Sequence, residues 1–260
     1  MSYFEIPKLT RSLWKVWFRN KDVFMKTFIV NFIPSFMQPL LYLFAFGFGV
    51  GNSIDIMEGV SYIKFIAPAL IAVGIMEASF FECTFASYVR MYYQKTFEAI
   101  IATPLSIEEV IAGELLWGAT KSVINTMIML PIFAIFGIID FPSSFLIIPF
   151  SFLAGLLFAA IGMCFTAISP SIDSLNYPTF LFITPMFLFS GTFFSLSLMP
   201  DFIRYFALTV LPLTHVVIII RSLTIGQANP LMLISFVWIF LVTLLFFVLS
   251  INLMKKKLIV

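Results

Sequence analysis

Runs of about twenty apolar residues, nearly free of charge, recur along this chain, and that pattern decides its solvent. Helices of that length cross a hydrocarbon core about 30 Å thick, whereas the strands of a membrane barrel alternate polar and apolar over about ten residues. Hydrophobic residues make up 61% of the 260 and charged ones only 11%, so a water-soluble fold would lack the polar surface to cover its apolar atoms. The expected fold class is therefore an all-α polytopic membrane protein.

Six transmembrane helices are expected: Phe28 to Val50, Phe65 to Tyr88, Gly113 to Ile139, Phe145 to Ile168, Tyr177 to Leu198 and Leu231 to Met254. Residues 1–27 form an amino-terminal segment and residues 28–260 the transmembrane domain. An even number of spans puts both termini on one side, and positive flanks stay cytoplasmic. Lys8, Arg11, Lys15, Arg19, Lys21, Lys26, Arg90, Lys95 and Lys255 to Lys257 fall on one side, eleven cations in all. Only Lys64, Arg204 and Arg221 fall on the other, and Lys121 is left inside a span. Both termini are thus expected in the cytoplasm.

Between Tyr3 and Lys26 the six cations are interleaved with Phe4, Leu9, Leu13, Trp14, Val16, Trp17 and Phe18. That mixture predicts a helix lying in the headgroup region with its tryptophans at the boundary. With no small-residue cleavage pattern after the following apolar run, the segment is not expected to be a signal peptide.

Two connections carry their own helical pattern. From Val89 to Ala112, Phe97, Ile100 and Ile101 stand at i, i+3 and i+4, and Thr103-Pro104 stops the helix they predict. Ser106 and Glu109 then have capping-box spacing and mark the start of the third long helix. On the outer side, Phe202, Ile203, Phe206, Ala207 and Val210 recur at helical spacing, Pro212 interrupts, and Val216 to Ile220 follows. Neither outer piece is long enough to span, so a re-entrant pair is expected.

Little conventional chemistry is available. The chain has no G-x-x-x-x-G-K-[ST] phosphate loop, so energy from ATP would have to come from a partner. One histidine, His215, and the separated Cys83 and Cys164 suggest neither a metal site nor a nucleophile–base pair, and the cysteines are read as packing residues. The net charge of +2 is spread beside the spans and suggests no nucleic-acid partner.

Ionisable groups inside the spans stand out, because each costs roughly 2.5 to 3.5 kcal/mol to insert and is usually paired or turned to a cavity. They are Glu77 and Glu82 in the second span, and Glu114 and Lys121 in the third. Steps of seven and eleven residues return near the same azimuth, so Glu114, Gly118, Lys121 and Asn125 share one side of the third helix. At about 1.5 Å per residue, Lys121 lies about 12 Å above Gly113, and Glu82 and Glu77 about 9 and 16 Å above Tyr88. Lys121 can therefore reach either carboxylate, in a pair that is functional or purely structural. Asn31 and Gln38, beside Pro34 and Pro39, read as hydrogen-bonding groups at a kink in the first span.

Two stretches are similar to a known family. Lys95 to Ser106 (KTFEAIIATPLS) running on to Gly113 to Lys121 (GELLWGATK) is one. Phe189 to Phe194 (FSGTFF), then Leu198 to Pro200, Leu211 to His215 (LPLTH) and Arg221, is the other. Together they resemble the membrane subunits of ABC-2 type exporters, particularly the daunorubicin-resistance and nodulation lipo-oligosaccharide branch. Ser195 departs from it, since many relatives have proline after the paired aromatics.

The resemblance implies an exporter permease whose coupling helix, between spans two and three, docks on an ATPase. It places that helix at Thr96, Phe97, Glu98, Ile100, Ile101, Thr103 and Pro104. It further implies outer re-entrant helices closing an external gate, here with Gly191, Phe193, Phe194, Pro200, Pro212, His215 and Arg221. Two permease subunits and two ATPases would share the work in a bacterial inner membrane, among its lipids, with no cofactor on this chain and ATP and Mg2+ on the partner. Drugs, lipid-linked sugars and polysaccharides are the family's cargo classes. Two other readings compete: a membrane-embedded lipid or glycan transferase using Glu77, Glu82 or Glu114, and a secondary transporter, although no repeat between halves is visible.

Overall fold

The computed structural model describes residues 4–51, 56–139, 142–226 and 230–259, and within these the side chains of 29–36, 48 and 50 lie outside the described set. The side chains of Asn31 and Pro34, singled out above, are among the latter. Nearly all of the described chain is helical, the exception to irregular connections being a two-stranded hairpin, β1 (Ile56–Met57) against β2 (Val60–Ser61).

Four helices among the described residues are long and apolar enough to cross a bilayer. They are Tyr62–Tyr93, Ile107–Ile135, Ser143–Ile168 and Pro230–Ile259. The first comprises α3 (Tyr62–Phe81) and two wide π turns, Glu82–Ala86 and Val89–Tyr93. The others are α5 (Ile107–Ile135), α6 (Ile147–Ile168, after a 3-10 turn) and α11 (Pro230–Ile259). A bent pair, α9 (Asp201–Val210) and α10 (Pro212–Ile225), turns through 89° and would make a fifth if counted as one span. The bend falls where Pro212, lacking an N–H, starts a new helix.

One of the six expected spans differs from expectation. The first is helical over its expected bounds, as α2 (Phe28–Phe44) followed by a π turn, Ala45–Val50. The span expected from Tyr177 to Leu198 is continuously helical from Asn176 to Phe189, as α7 (Asn176–Pro178), a π turn and α8 (Thr184–Phe189), with a separate 3-10 turn at Leu196–Leu198. At about 1.5 Å per residue that reaches about 21 Å, short of a full crossing. Gly191, at φ +75°, turns the chain out of the helix, and the apolar residues beyond it form a loop. Apolarity alone does not distinguish the two.

α3 is the central element, packed against α2, α5, α6 and α10 and buried along almost its whole length. By contrast α11 turns Leu233, Val237, Leu241 and Leu244 outward, as a lipid-facing helix should. Small residues let the inner helices approach. A methyl added to Gly155 of α6 would sit 2.6 Å from Ser122 Cβ of α5, and one on Gly118 of α5 would sit 2.8 Å from Cys83 Sγ. Hydroxyls then bridge the backbones: Ser122 Oγ donates to the Ile75 carbonyl at 3.1 Å, and Thr166 Oγ1 to the Cys83 carbonyl at 2.8 Å.

One end of the bundle gathers the polar contacts of both termini. Ser106 caps α5, its Oγ accepting from Glu109 N at 3.2 Å while Glu109 Oε2 accepts from Ser106 N at 2.8 Å. Thr10 donates to the same Glu109 carboxylate. Glu108 accepts from the Lys8 backbone and from Lys255 Nζ, each at 2.5 Å, and Asn252 Nδ2 donates to the Glu5 carbonyl at 2.8 Å. Lys257 caps the end of α6 through the Thr166 and Ser169 carbonyls at 2.9 and 2.6 Å.

Candidate functional site

α1 (Leu13–Lys26) lies along the first turns of α5. Its buried residues, Val16, Asn20 and Phe24, recur every four positions, and Gly113 is what lets Val16 come close. Trp17 Nε1 donates to Thr120 Oγ1 at 2.8 Å, and Trp17 and Phe24 both meet the Trp117 ring edge-on. This packing places Asn20 over the polar side of α5.

Below it lies a network of four charges. Lys121 Nζ is 2.6 Å from Glu82 Oε2, and Arg90 Nη1 is 2.8 Å from Glu82 Oε1. Arg90 also grips Glu114, with Nη2 and Nε at 2.6 and 2.9 Å from Oε2. Ser87 Oγ and Asn20 Nδ2 donate to Glu114 at 3.0 and 2.7 Å. Glu114 is fully buried, and the Glu82, Arg90 and Lys121 side chains are only 4, 14 and 20% exposed. Two cations thus neutralise two carboxylates, and Asn20 and Ser87 add hydrogen bonds to Glu114, the kind of pairing under which buried charge is tolerated.

Arg90 joins the network because of the wide turn before it. Eight residues of α-helix rotate about 800°, some 80° away from the starting azimuth. One residue absorbed by the Glu82–Ala86 turn reduces the effective step to seven, about 20° from the same face. From the sequence, Arg90 counts only as a positive flank, and Asn20, Ser87 and Arg19 carry no distinctive pattern. Their signal was the depth of Arg90, within one turn of Glu114.

The other intramembrane polar residues go elsewhere. Glu77 accepts from Gln38 Nε2 of α2 at 3.2 Å, so of the two partners open to Lys121 the geometry takes Glu82. Asn125 does not reach the network either. It packs against Gly74, its Nδ2 lies 3.7 Å from Met129 Sδ, and its buried Oδ1 has no partner among the described residues. Cys83 and Cys164 are free and buried.

The network connects to α4 (Thr96–Ile101). Arg19 Nη1 donates to Asn20 Oδ1 at 3.1 Å and its Nη2 to Thr96 Oγ1 at 3.4 Å. Lys95, in the left-handed region at φ +50°, turns the chain from α3 into α4. Phe97 is 1% exposed and packs, with Ile100 and Ile101 partly buried beside it, into a cluster containing Met91, Val110 and Ile111. The apolar face of α4 therefore grips its own chain, and the opposite side, with Glu98, Ala99, Thr103 and Pro104, is exposed.

A cavity of about 350 Å³ opens beside the network, between α1, the wide turns that follow α3 and the first turns of α5. Arg19, Arg90, Lys121 and Glu82 all line it. Burial pushes the Arg19 pKa below its ordinary value, against the opposing pull of Glu114, and the like charge of Arg90 adds to the fall.

At the opposite end, Arg221 of α10 donates to the Phe65 and Gly191 carbonyls at 3.2 and 2.9 Å and lies over the Phe65 ring. Tyr62 Oη donates to the Phe193 carbonyl at 3.2 Å, and Phe193 packs among Phe46, Tyr42 and Phe187. Phe194 and Pro200 remain exposed, while Pro212 and His215 are buried. His215 Nδ1 is 3.0 Å from Ser235 Oγ, and its ring stacks on Trp238. Ser195 donates to the Glu58 carboxylate and sits at φ −61°, ψ 139°. Those angles suit proline, so the departure at this position keeps the backbone geometry that proline would impose.

Long apolar helices, close small-residue packing and a neutralised charge network tied to a surface helix define a polytopic integral membrane protein with a polar centre near one face. Residues 9–225 match the family described as ABC-2 type transporter, and the chain belongs to that family. It is 34% identical over 212 residues to Nodulation protein J of Rhizobium meliloti (strain 1021), covering 82% of this chain and 80% of that one. It is also 33% identical over 245 residues to Nodulation protein J of Rhizobium leguminosarum bv. viciae, covering 94% and 93%. A more distant relative, at 25% over 192 residues and 74% of each chain, is the Inner membrane transport permease YadH of Escherichia coli (strain K12). No solved structure matches.

Proposed function

We propose that this chain is the transmembrane permease subunit of an ATP-binding-cassette exporter in a bacterial inner membrane. It works as a dimer, with the conduit at the subunit interface, and two copies of a separate ATPase that carries ATP and Mg2+ drive it. Its cargo is an amphiphile: glycolipid-like, polysaccharide or drug-like. Six crossings are completed by α2 with its Ala45–Val50 extension and by the Asn176–Phe189 segment with the loop beyond it. Both termini lie in the cytoplasm, which is supported by the contacts of Lys8 and Lys255 with one carboxylate, Glu108.

The observation that carries the mechanism is the attachment of α4. Force applied to its exposed side passes through Lys95 into the wide turns of α3, where Arg90 holds Glu82 and Glu114 together. It also passes through Thr96 and Arg19 to α1. A nucleotide-driven push on α4 would thus move α1, α3 and α5 as a unit, while the Arg221 contacts hold the outer end. The enzymatic alternative is reduced to Glu77, which accepts from Gln38, because Glu82 and Glu114 are both held by cations, which leaves neither free as a general base.

Co-purification with the ATPase, followed by transport in proteoliposomes, tests this. Glu98→Arg and Ala99→Arg are expected to weaken ATPase association about tenfold without changing the melting temperature. Transport that proceeds with no ATPase present would overturn the proposal.

A further inference from the structure

The cavity beside α1 carries more positive charge than its own carboxylates neutralise. Arg90 and Lys121 are matched by Glu82 and Glu114, but Arg19 forms no ion pair among the described residues. Its guanidinium spends one donor on Asn20 and one, at 3.4 Å, on Thr96, and a guanidinium has five donors. The remaining N–H groups face a space of about 350 Å³ that Lys121 and Arg90 also line.

The rest of the lining mixes apolar side chains, Val23 and Phe24 from α1, Phe85 and Val89 from the turns after α3 and Trp117 from α5, with Asn20, Thr27 and Gln94 and with the Glu82 carboxylate, which Arg90 and Lys121 already neutralise. Cations at one level with apolar and aromatic side chains around them match an anionic head joined to hydrocarbon. Arginine suits a phosphate better than an uncharged polar head because its planar fork donates two parallel, charge-assisted bonds to phosphate oxygens. Trp14 and Phe18, exposed on the outer side of α1, mark that helix as one lying at the membrane boundary, where headgroup phosphates are concentrated.

We propose that this cavity binds the phosphate of an anionic phospholipid, with Arg19 as the principal contact and Lys121 as the second. The lipid acts as a wedge between α1 and α3 that holds α1 against α5. It is distinct from cargo, needs no ATPase and is independent of the transport reading.

The test uses the full-length chain, purified in a neutral detergent and delipidated. Its melting temperature is measured while phosphatidylglycerol, phosphatidylcholine or inorganic phosphate is added. Phosphatidylglycerol is expected to raise the melting temperature by several degrees and phosphatidylcholine to leave it unchanged. Arg19→Gln should weaken the phosphatidylglycerol effect about tenfold, and Arg19→Lys should retain most of it. Val23→Trp, which fills the cavity while leaving every charge in place, should abolish it. A shift produced equally by inorganic phosphate, and lost in the same variants, assigns the site to the free anion. An equal response to phosphatidylcholine, or a phosphatidylglycerol shift that survives both Arg19→Gln and Val23→Trp, overturns the proposal.

Discussion

Arg90 and Glu114 meet through two guanidinium nitrogens on one carboxylate oxygen, at 2.6 and 2.9 Å, with the carboxylate wholly buried. Lys121 has a narrower role, since Glu82 keeps Arg90 when Lys121 is lost. Arg90→Met leaves Glu114 without any cation and is expected to cost about 3–5 kcal/mol, the range for removing one partner of a buried pair. Lys121→Met should cost less than half of that. Adding Glu114→Gln to Arg90→Met should recover part of the loss. Thermal unfolding in detergent checks the order, and an equal effect of the two single variants would show that Arg90 does not bridge the carboxylates.

Phe97 has a comparable test. Because its ring is buried in its own chain, Phe97→Ala should destabilise the protein by about 3–5 kcal/mol, as large-to-small changes at buried aromatics do. Any loss of ATPase binding would then follow loss of stability. A variant with normal thermal unfolding but no ATPase association would mean that Phe97 leaves the cluster to dock.

What the sequence made legible was mostly local. The Ser106–Glu109 box depends on residues three apart, and the structure has both of its bonds. The depth of Lys121 was readable to about one turn, enough to name Glu82 and Glu77 together. Choosing between them required the azimuth of α3, which its wide turns alter. For α4, periodicity identified the apolar face correctly but not its partner, which is the Met91, Val110 and Ile111 cluster. Arg90 was hidden because a cation at the end of a span looks the same whether it is solvated or folded back onto a carboxylate.

Close packing of α5 on α6 makes Gly155 intolerant of any side chain. An added Cβ would crowd both Ser122 and the Ala119 Cα, the latter at 3.2 Å. Gly155→Ala must therefore push the helices apart and is expected to cost about 1–3 kcal/mol, the range for overpacking. Trimming Ser122 to alanine should rescue little, because Ser122 Cβ itself lies 2.6 Å from the added atom. Thermal unfolding of the single and double variants decides this, and full rescue by Ser122→Ala would place the clash on the hydroxyl alone.

Ser195→Pro offers a finer test of the outer loop. Proline would match the existing φ of −61° and remove unfolded-state freedom, a gain of about 0.4–1 kcal/mol. Against that stand the lost hydroxyl contacts with Glu58 and Ser197, and a hydrogen bond to a charged group contributes about 1.5–3 kcal/mol. Glu58 lies in a hairpin with two-residue strands, where its carboxylate can recover water at small cost, so the lower end of that range applies. The loss exceeds the gain by about 0.5–1 kcal/mol, and Ser195→Pro should fold with a melting temperature a few degrees below the parent. Ser195→Ala, which loses the bond without the backbone gain, should be the less stable of the two. If Ser195→Ala proves the more stable of the two, proline does not fit the backbone at this position and the expected gain is absent.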